Sequence, residues 1–449
     1  MHCGACVGLH PDLLEFEDTD RGPLPRPVRS LGGGGDQSLA AAWAVCPGRG
    51  VPFAEVFDHL GRSVENPLLG PCEGIFTGYA GDEAIRNRAA SGGVISRVLI
   101  HLLQSGRVKG AVVLRQGRPD PETAEPVIAT SVEEILAAAQ SIYVVTPLLT
   151  IIPEMERFDG DLAFVGLSEH VAALRMLQAG GHPAAAKVKF VIGPYTGTNM
   201  YKGAVRSFLR NKGVPEDEGI TSLQWRAGEW PGYLEARTES GRVLRAEKFY
   251  YNYLIPFYIS RNCLITPDFT NELTDLSVGD AWSPVLERAR GGHSVIIARN
   301  ETALEILDEL RRSGDLSLTP TAVEEALDMH GHMLDFKKRG TFLRLRQQRR
   351  KGLPVPDYGY EPTDIALPRR MVETIIGFIF YIGGLRLARS LVRYVPVSIL
   401  GPVFNVLRQA WKGLSKPAKR RGLAHAAFAN WRCPERWREI TGVRFPAGE

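Results

Sequence analysis

Cysteine is scarce in this chain: six residues in 449, too few for a disulfide scaffold of this size. The N-terminus lacks a basic segment leading into an apolar stretch, so no signal peptide is read there. A reducing, cytoplasmic setting is expected, with peripheral attachment to the inner face of a membrane as an added option. Long apolar runs are also missing. Thr374–Leu385 has twelve uncharged residues and Tyr394–Leu407 fourteen, both short of the roughly twenty that span a bilayer. The GxGxxG fingerprint is absent, as are a nucleophile–base constellation and any internal repeat. His330 and His332 form an HxH pair without further zinc ligands and read as a surface helix. No nucleic-acid-binding fold signature is found, so nucleic acid is the least favoured partner.

Each part of the chain is poorer in charge of one sign. From Lys337 to Glu449 there are 23 Lys and Arg against 7 Asp and Glu; residues 1–336 carry 31 against 43. The overall +4 therefore conceals an acidic body and a basic tail, a split that points to an anionic partner. Composition is otherwise that of a globular protein, 44% hydrophobic and 23% charged, which excludes global disorder.

Residues 1–72 read as irregular, with loops at Gly32–Gly35 and the Pro/Gly stretches, and one short helix near Ser38–Ala44. From Gly74 short apolar strands alternate with amphipathic helices. Strands are expected at Ile75–Ala80, Gly110–Leu114, Ala163–Leu167, Lys189–Gly193 and Ser294–Ala298. Helices are expected at Ser91–Gly106, Val132–Ala139, His170–Ala179, Tyr201–Asn211 and Glu301–Arg312. Leu234–Thr238 and Arg242–Ala246 read as a hairpin. The pattern predicts an α/β (α+β) core around a mixed sheet, an irregular N-terminal cysteine segment and a helical basic C-terminal extension. The expected divisions are 1–72, 73–152, 153–335 and 336–449.

Four sets of residues carry candidate chemistry. Arg88–Gly93 lies between a strand and a helix. Its paired glycines suit either a tight turn or a phosphate approaching backbone N–H groups at a helix start, with Arg86 and Arg88 as added cations. Gly279–Asp280 closes an apolar run, where Asp280 either caps a turn or orients a ligand. Trp225–Gly228, with Trp230–Gly232, sets Arg226 among aromatics, which suits a planar anionic ligand or a packed hairpin approach. Cys3, Cys6 and Cys46 have spacing that suits an iron–sulfur cluster or zinc; unrelated thiols are the alternative.

The segment RAASGGVISRVLIHLLQSGRVKGAVV (Arg88–Val113) resembles the beta-subunit family of coenzyme F-420 hydrogenases and dehydrogenases. Reductases of hydroxymethyl-chlorophyll and divinyl-chlorophyllide belong to the same family. AWAVCPG (Ala42–Gly48), DLAFVGL (Asp161–Leu167), WRAGEWPG (Trp225–Gly232), LTDLSVGDAW (Leu273–Trp282) and GGHSVIIAR (Gly291–Arg299) follow in the family's order, so the resemblance covers roughly residues 1–360.

The resemblance implies a flavin-dependent oxidoreductase with FAD contacts at Arg88, Ser91, Gly92, Gly93, Gly166 and Gly279. Asp280 and Arg226 would position cofactor or substrate. Coenzyme F-420 or a nicotinamide would carry electrons, and a redox partner protein or a second copy would be the protein partner. The substrate would be small or lipid-linked, by analogy within polysaccharide or cell-envelope metabolism.

The resemblance also implies one iron–sulfur cluster on Cys3, Cys6 and Cys46. The family's first cysteine would fall just before Met1, so the chain is expected to start at an internal Met; otherwise Cys72 or a non-cysteine ligand completes the set. Further departures are Ser168–Glu169 in place of Pro-Cys, Pro194–Gly197 in place of a cysteine segment, and Thr266 where Cys263 would open a CxxC. Ile142 stands where relatives often carry a basic residue. A body cluster is therefore not expected. The alternative is a redox-inactive, membrane-peripheral binding protein that keeps the fold. In the tail, Arg386, Arg389 and Arg393 share one helical face and Ile375, Phe378, Ile379 and Ile382 form an apolar stripe. That pattern suits an anionic lipid surface, packing on the body, or dimerisation.

Overall fold

The computed structural model describes residues 1–28, 39–247, 251–289 and 291–445. The expected Gly32–Gly35 loop and Ser38 lie outside these. The strands in chain order are β1 (Leu14–Thr19), β2 (Gly22–Pro27), β3 (Gly74–Ala80), β4 (Gly110–Gln116), β5 (Ala124–Ala129), β6 (Leu162–Val165) and β7 (Val188–Pro194). They continue as β8 (Ile220–Ala227), β9 (Tyr233–Thr238), β10 (Val243–Glu247), β11 (Leu276–Asp280), β12 (Ser294–Ala298) and β13 (Leu316–Pro320), with a short pair β14 (Tyr360–Pro362) and β15 (Phe428–Asn430).

The main sheet has the order β13-β3-β12-β11-β7-β6-β4-β5. β11, β7, β6 and β4 run parallel, and the remaining neighbours pair antiparallel. β3 therefore points the same way as the parallel strands. The C-terminal ends of β3, β11, β7 and β6 all lie on one edge, where open α/β sheets place their ligands.

Alternation along the strands feeds two cores. Val112, Phe164 and Val191 face the helix Ser168–Ala179 and the N-terminal segment. Ala163, Phe190, Ile192 and Ile296 face the helices Val94–Gln104 and Glu301–Arg312. These sequences satisfy the layer rule: an apolar sheet face needs an apolar helix stripe to bury it. A separate three-stranded sheet, β10-β9-β8, includes the expected hairpin and packs its own core around Trp225 and Phe208.

Two expectations need correction. Residues 1–28 and 39–72 are not irregular: they hold helices Ala5–Leu9, Ala40–Ala44 and Phe53–His59 and the β1–β2 hairpin, with Val45, Phe53 and Phe57 in the main core. The basic run after Asp335 packs into the body: Lys337, Lys338, Arg339 and Arg344 are buried, and Lys338 pairs with Glu272 at 2.5 Å. The Pro/Tyr-rich stretch Leu353–Pro362 also packs on the body, with Tyr358 and Tyr360 buried in the core. His330 is not on the surface; it is buried, and its Nε2–H donates to the Asp280 carbonyl at 2.7 Å.

Beyond the body come three tail helices, Leu367–Gly383, Arg386–Val392 and Val397–Arg420. Arg369 and Glu373 of the first are buried in an ionic network with Asp335, Arg339 and Arg344. Among the described residues no single helix is long and apolar enough to cross a membrane. The first two tail helices, bent by 73° at their junction, pass that test as a pair by length and composition.

Candidate functional site

Two structural units meet at the C-terminal edge of the main sheet. From the small sheet, the end of β8 delivers Arg226, a nearly fully buried guanidinium. From the main sheet, the end of β11 delivers Asp280. Arg226 Nη1 donates to Asp280 Oδ2 at 3.1 Å, and Nε donates to the Pro231 carbonyl at 2.7 Å. Nη1 also lies 3.4 Å from the Tyr143 hydroxyl, while Nη2 is buried with no hydrogen-bond partner. Burial opposes the charge of Arg226, but Asp280 and Tyr143 outweigh it and hold its pKa above the ordinary value. The group stays cationic at any physiological pH.

Aromatic rings enclose this pair. Tyr143 packs edge-on against Trp225, and Trp225 against Tyr251. Trp230, from the turn between β8 and β9, stacks at 4.7 Å on Trp282, two residues after Asp280. The Trp230 Nε1–H is buried without an acceptor. Behind Asp280, His330 and Tyr195 back the strand end, and burial lowers the His330 pKa so that its ring is neutral.

The glycine loop is joined to this edge by direct bonds. Asp280 pairs with Ser294 across β11 and β12, and the Ala281 N–H donates to the His293 carbonyl at 2.9 Å. The Ser91 hydroxyl donates to the same carbonyl at 2.8 Å, and the Gly92 N–H donates to Ser294 Oγ at 3.1 Å. Gly92 has no room for a side chain: a Cβ would lie 2.7 Å from the Gly78 carbonyl. Gly93 adopts φ +77°, a left-handed conformation open to glycine, and opens the helix Val94–Gln104 with no side-chain cap. Arg86 lies 3.7 Å over the Tyr79 ring and donates from Nε to the Gly292 carbonyl at 3.1 Å; its Nη2 is buried and unpaired.

These contacts revise the expected roles. The Ser91 hydroxyl proton and the Gly92 N–H are already donated within the protein. The donors left for an anion are the N–H groups opening Val94–Gln104 and the Arg86 Nη2. Arg88 is exposed at the end of the helix Glu83–Arg88, and its carbonyl accepts from Gln140. Gly166 and Gly279 lie on the same edge but are filled by protein. A Cβ on Gly166 would lie 2.6 Å from Phe164, and one on Gly279 would lie 2.4 Å from Tyr195. Both glycines admit neighbouring rings, which accounts for them by packing. His293 and Tyr79 were not legible as site residues, although the GGHSVIIAR motif contains the histidine.

Cys3, Cys6 and Cys46 draw together at the N-terminal corner. Burial pushes the Cys3 thiol up to about 12, and nearby Cys46 adds to the shift; the same two causes raise Cys6. Among the described residues, however, no group of three or more His, Cys, Asp or Glu side chains is arranged to hold a metal ion. The thiol corner as it stands does not fit a cluster. Cys263 is buried, accepts from the Asn199 N–H at 3.0 Å and donates to Asn199 Oδ1 at 3.1 Å. Glu169, Asn262 and Lys337 surround it, so polar side chains fill the place where Ser168–Glu169 and Thr266 depart from the cysteine pattern.

Models of the coenzyme F420 hydrogenase/dehydrogenase beta-subunit family match two stretches, the N-terminal part of that family over residues 75–153 and its C-terminal part over 159–324. Together they span more than half of the chain. A coenzyme F420 hydrogenase subunit beta of Methanothermobacter thermautotrophicus is 24% identical over 300 residues, covering 64% of this chain and 99% of that one. A coenzyme F420-dependent sulfite reductase of Methanocaldococcus jannaschii is 26% identical over 231 residues, covering 48% of this chain and 34% of its own length. A solved chain of the F420-reducing [NiFe] hydrogenase complex from Methanosarcina barkeri superposes with a TM-score of 0.52 at 20% identity, covering 66% of this chain and 98% of that chain. That likeness shows the shared mixed α/β fold.

Proposed function

Because the chain belongs to the coenzyme F420 hydrogenase/dehydrogenase beta-subunit family, we propose that it is a flavin-dependent oxidoreductase working at the C-terminal edge of its main sheet. FAD is the resident group in this reading, and reduced F420 or a nicotinamide is the electron carrier. The single observation that supports it most is that two features meet at one edge, joined through the His293 carbonyl, which accepts from both Ala281 and Ser91: the Arg226–Asp280 pair and the uncapped helix start beside Arg86.

The donor set fits a dinucleotide. The N–H groups opening Val94–Gln104 sit at the positive end of an eleven-residue helix, and Arg86 carries an unpaired buried Nη2 beside them. These would hold the pyrophosphate. A bound flavin supplies two-electron, hydride-accepting chemistry that no side chain here offers. Trp230 and Trp282 give a planar ring an apolar wall and exclude water. Arg226, fixed by Asp280 and the Pro231 carbonyl, holds a permanent positive charge at this edge, with one N–H direction unspent. Such a preorganised cation stabilises negative charge that grows on a ring or substrate oxygen. Asp280, ion-paired, acts as the anchor of Arg226. No step is routed through the thiol corner.

Relatives named as hydrogenase subunits support a redox protein as partner, and a small or lipid-linked compound as the far substrate is part of the same proposal. A redox-inactive binding protein is the second reading, favoured by the Glu169–Asn262–Lys337 surroundings of Cys263 in place of thiolates. Adding FAD to the purified chain and following tryptophan fluorescence separates the two. Saturable quenching that Arg86→Ala weakens supports the enzyme. Absence of FAD uptake supports the binding protein.

A further inference from the structure

The first tail helix is inside out. Its body-facing side carries Arg369 and Glu373, both 1% exposed, together with Ile376 and Gly383. A Cβ on Gly383 would lie 2.2 Å from the Pro256 carbonyl, so the helix end is pressed onto the body. The outward side carries Met371, Ile375, Phe378 and Ile382, each at least 40% exposed. Ordinary amphipathic helices do the reverse. The second helix repeats the arrangement: Arg389 donates to the Phe257 and Asp20 carbonyls while Leu387 and Leu391 face out. The expected arginine face of this helix therefore turns largely to the protein, since Arg393 also reaches the Tyr258 hydroxyl. The third helix exposes Val403, Leu407 and Leu414.

Among the described residues, sixteen of the twenty-four exposed large apolar side chains lie between positions 367 and 414. A patch of that extent marks an interaction surface. Charge selects the occupant. Between Leu367 and Arg421 the only acidic residue is Glu373, which is buried and ion-paired to Arg344 and Arg369. The exposed charges are Arg370, Arg386, Lys412, Lys416 and Arg420, with Arg421 at the end. Lys412, Lys416 and Arg420 line a groove of about 510 Å³ on another side of the third helix from Val403, Leu407 and Leu414, and there Arg420 donates to the Asp328 carbonyl of the body. The cations that flank the apolar stripes are Arg370 and Arg386. A second copy would set this cationic, apolar face against its own like. An anionic bilayer meets both demands at once: acyl chains for the apolar stripes and phosphates for the cations.

We propose that the three tail helices form a monotopic anchor, lying in the interface of an anionic membrane with Arg370 and Arg386, beside the apolar stripes, at the lipid phosphates. The bend of 73° between the first two helices lets each stripe follow the surface without crossing it. This proposal is independent of the redox reading, since it rests on the tail alone.

The test is co-sedimentation of the full chain with phosphatidylcholine vesicles, with and without phosphatidylglycerol, at low and high salt. Binding to the anionic vesicles, weakened by salt, is expected. Arg370→Gln and Arg386→Gln should each lower partitioning roughly fivefold, the factor for one cation at such a surface. Phe378→Glu with Leu387→Glu should abolish binding while thermal melting stays unchanged, because both side chains are exposed. No binding to anionic vesicles overturns the proposal, and so does binding that survives the double glutamate variant. A lipid-free dimer that the same variant dissociates, with no vesicle uptake, assigns the face to a second copy and overturns it as well.

Discussion

Arg226 donates to Asp280 at 3.1 Å and thereby ties the small sheet to the ligand edge of the large one. The two residues are 54 positions apart and come from separate motifs. Removing one partner of a fully buried pair costs about 3–5 kcal/mol. Asp280 keeps 17% of its side chain exposed, so Asp280→Asn should cost less, about 2–3 kcal/mol. Denaturant unfolding of Asp280→Asn, Arg226→Met and the double variant measures this. The double variant should lose less than the two single variants combined, because neither charge is left alone.

Gly92 is pressed between the Gly78 carbonyl and Ser294. Gly92→Ala should destabilise the fold by about 1–3 kcal/mol through overpacking. It should also displace the start of Val94–Gln104 and weaken FAD uptake. Arg86→Ala leaves the loop packed and should weaken FAD about ten- to hundredfold, the range for one hydrogen bond to a charged group. Fluorescence titration beside thermal melting separates the two effects.

Glu373 holds Arg344 and Arg369 where the first tail helix meets the body. Glu373→Gln leaves two buried guanidinium groups with one carboxylate fewer. A loss of about 3–5 kcal/mol is expected in unfolding experiments, with faster proteolysis of the tail.

A buried neutral histidine makes the protein acid-sensitive. Burial lowers His182 to about 4, against 6.5 in the unfolded chain. Between those values the unfolded state binds more protons, so stability rises with pH. It is lost as pH falls from 6.5 toward 4, by at most about 1.4 kcal/mol per pH unit for this ring. His182 also caps the helix Pro183–Ala186 by accepting from the Ala184 N–H at 3.2 Å. His182→Asn keeps a capping acceptor and should flatten the acid limb of a melting-temperature profile.

Much of this was legible because local periodicity and sheet order agree. The strands at β3, β4, β6, β7 and β12 and the β9–β10 hairpin fall where alternation placed them. The β1–β2 hairpin was not legible, since prolines at 23, 25 and 27 mask its alternation. The burial of Lys337 to Arg344 was not legible, because their acidic partners Asp335, Glu373 and Glu272 lie on other segments or one turn away. Arg226 and Asp280 were each visible in their motifs; their pairing was not, because a salt bridge between two sheets has no sequence period. Ser91 and Gly92 read as phosphate donors because a sequence does not reveal that His293 and Ser294 already take those protons.

The most direct measurement is the visible absorption of the purified chain, reconstituted with FAD under anaerobic conditions, before and after adding reduced F420 or NADH. A flavin-dependent oxidoreductase should show bands near roughly 370 and 450 nm, with the longer-wavelength band bleaching on addition of one of the two donors. A protein that stays colourless after reconstitution, or whose bound flavin neither donor bleaches, would contradict it.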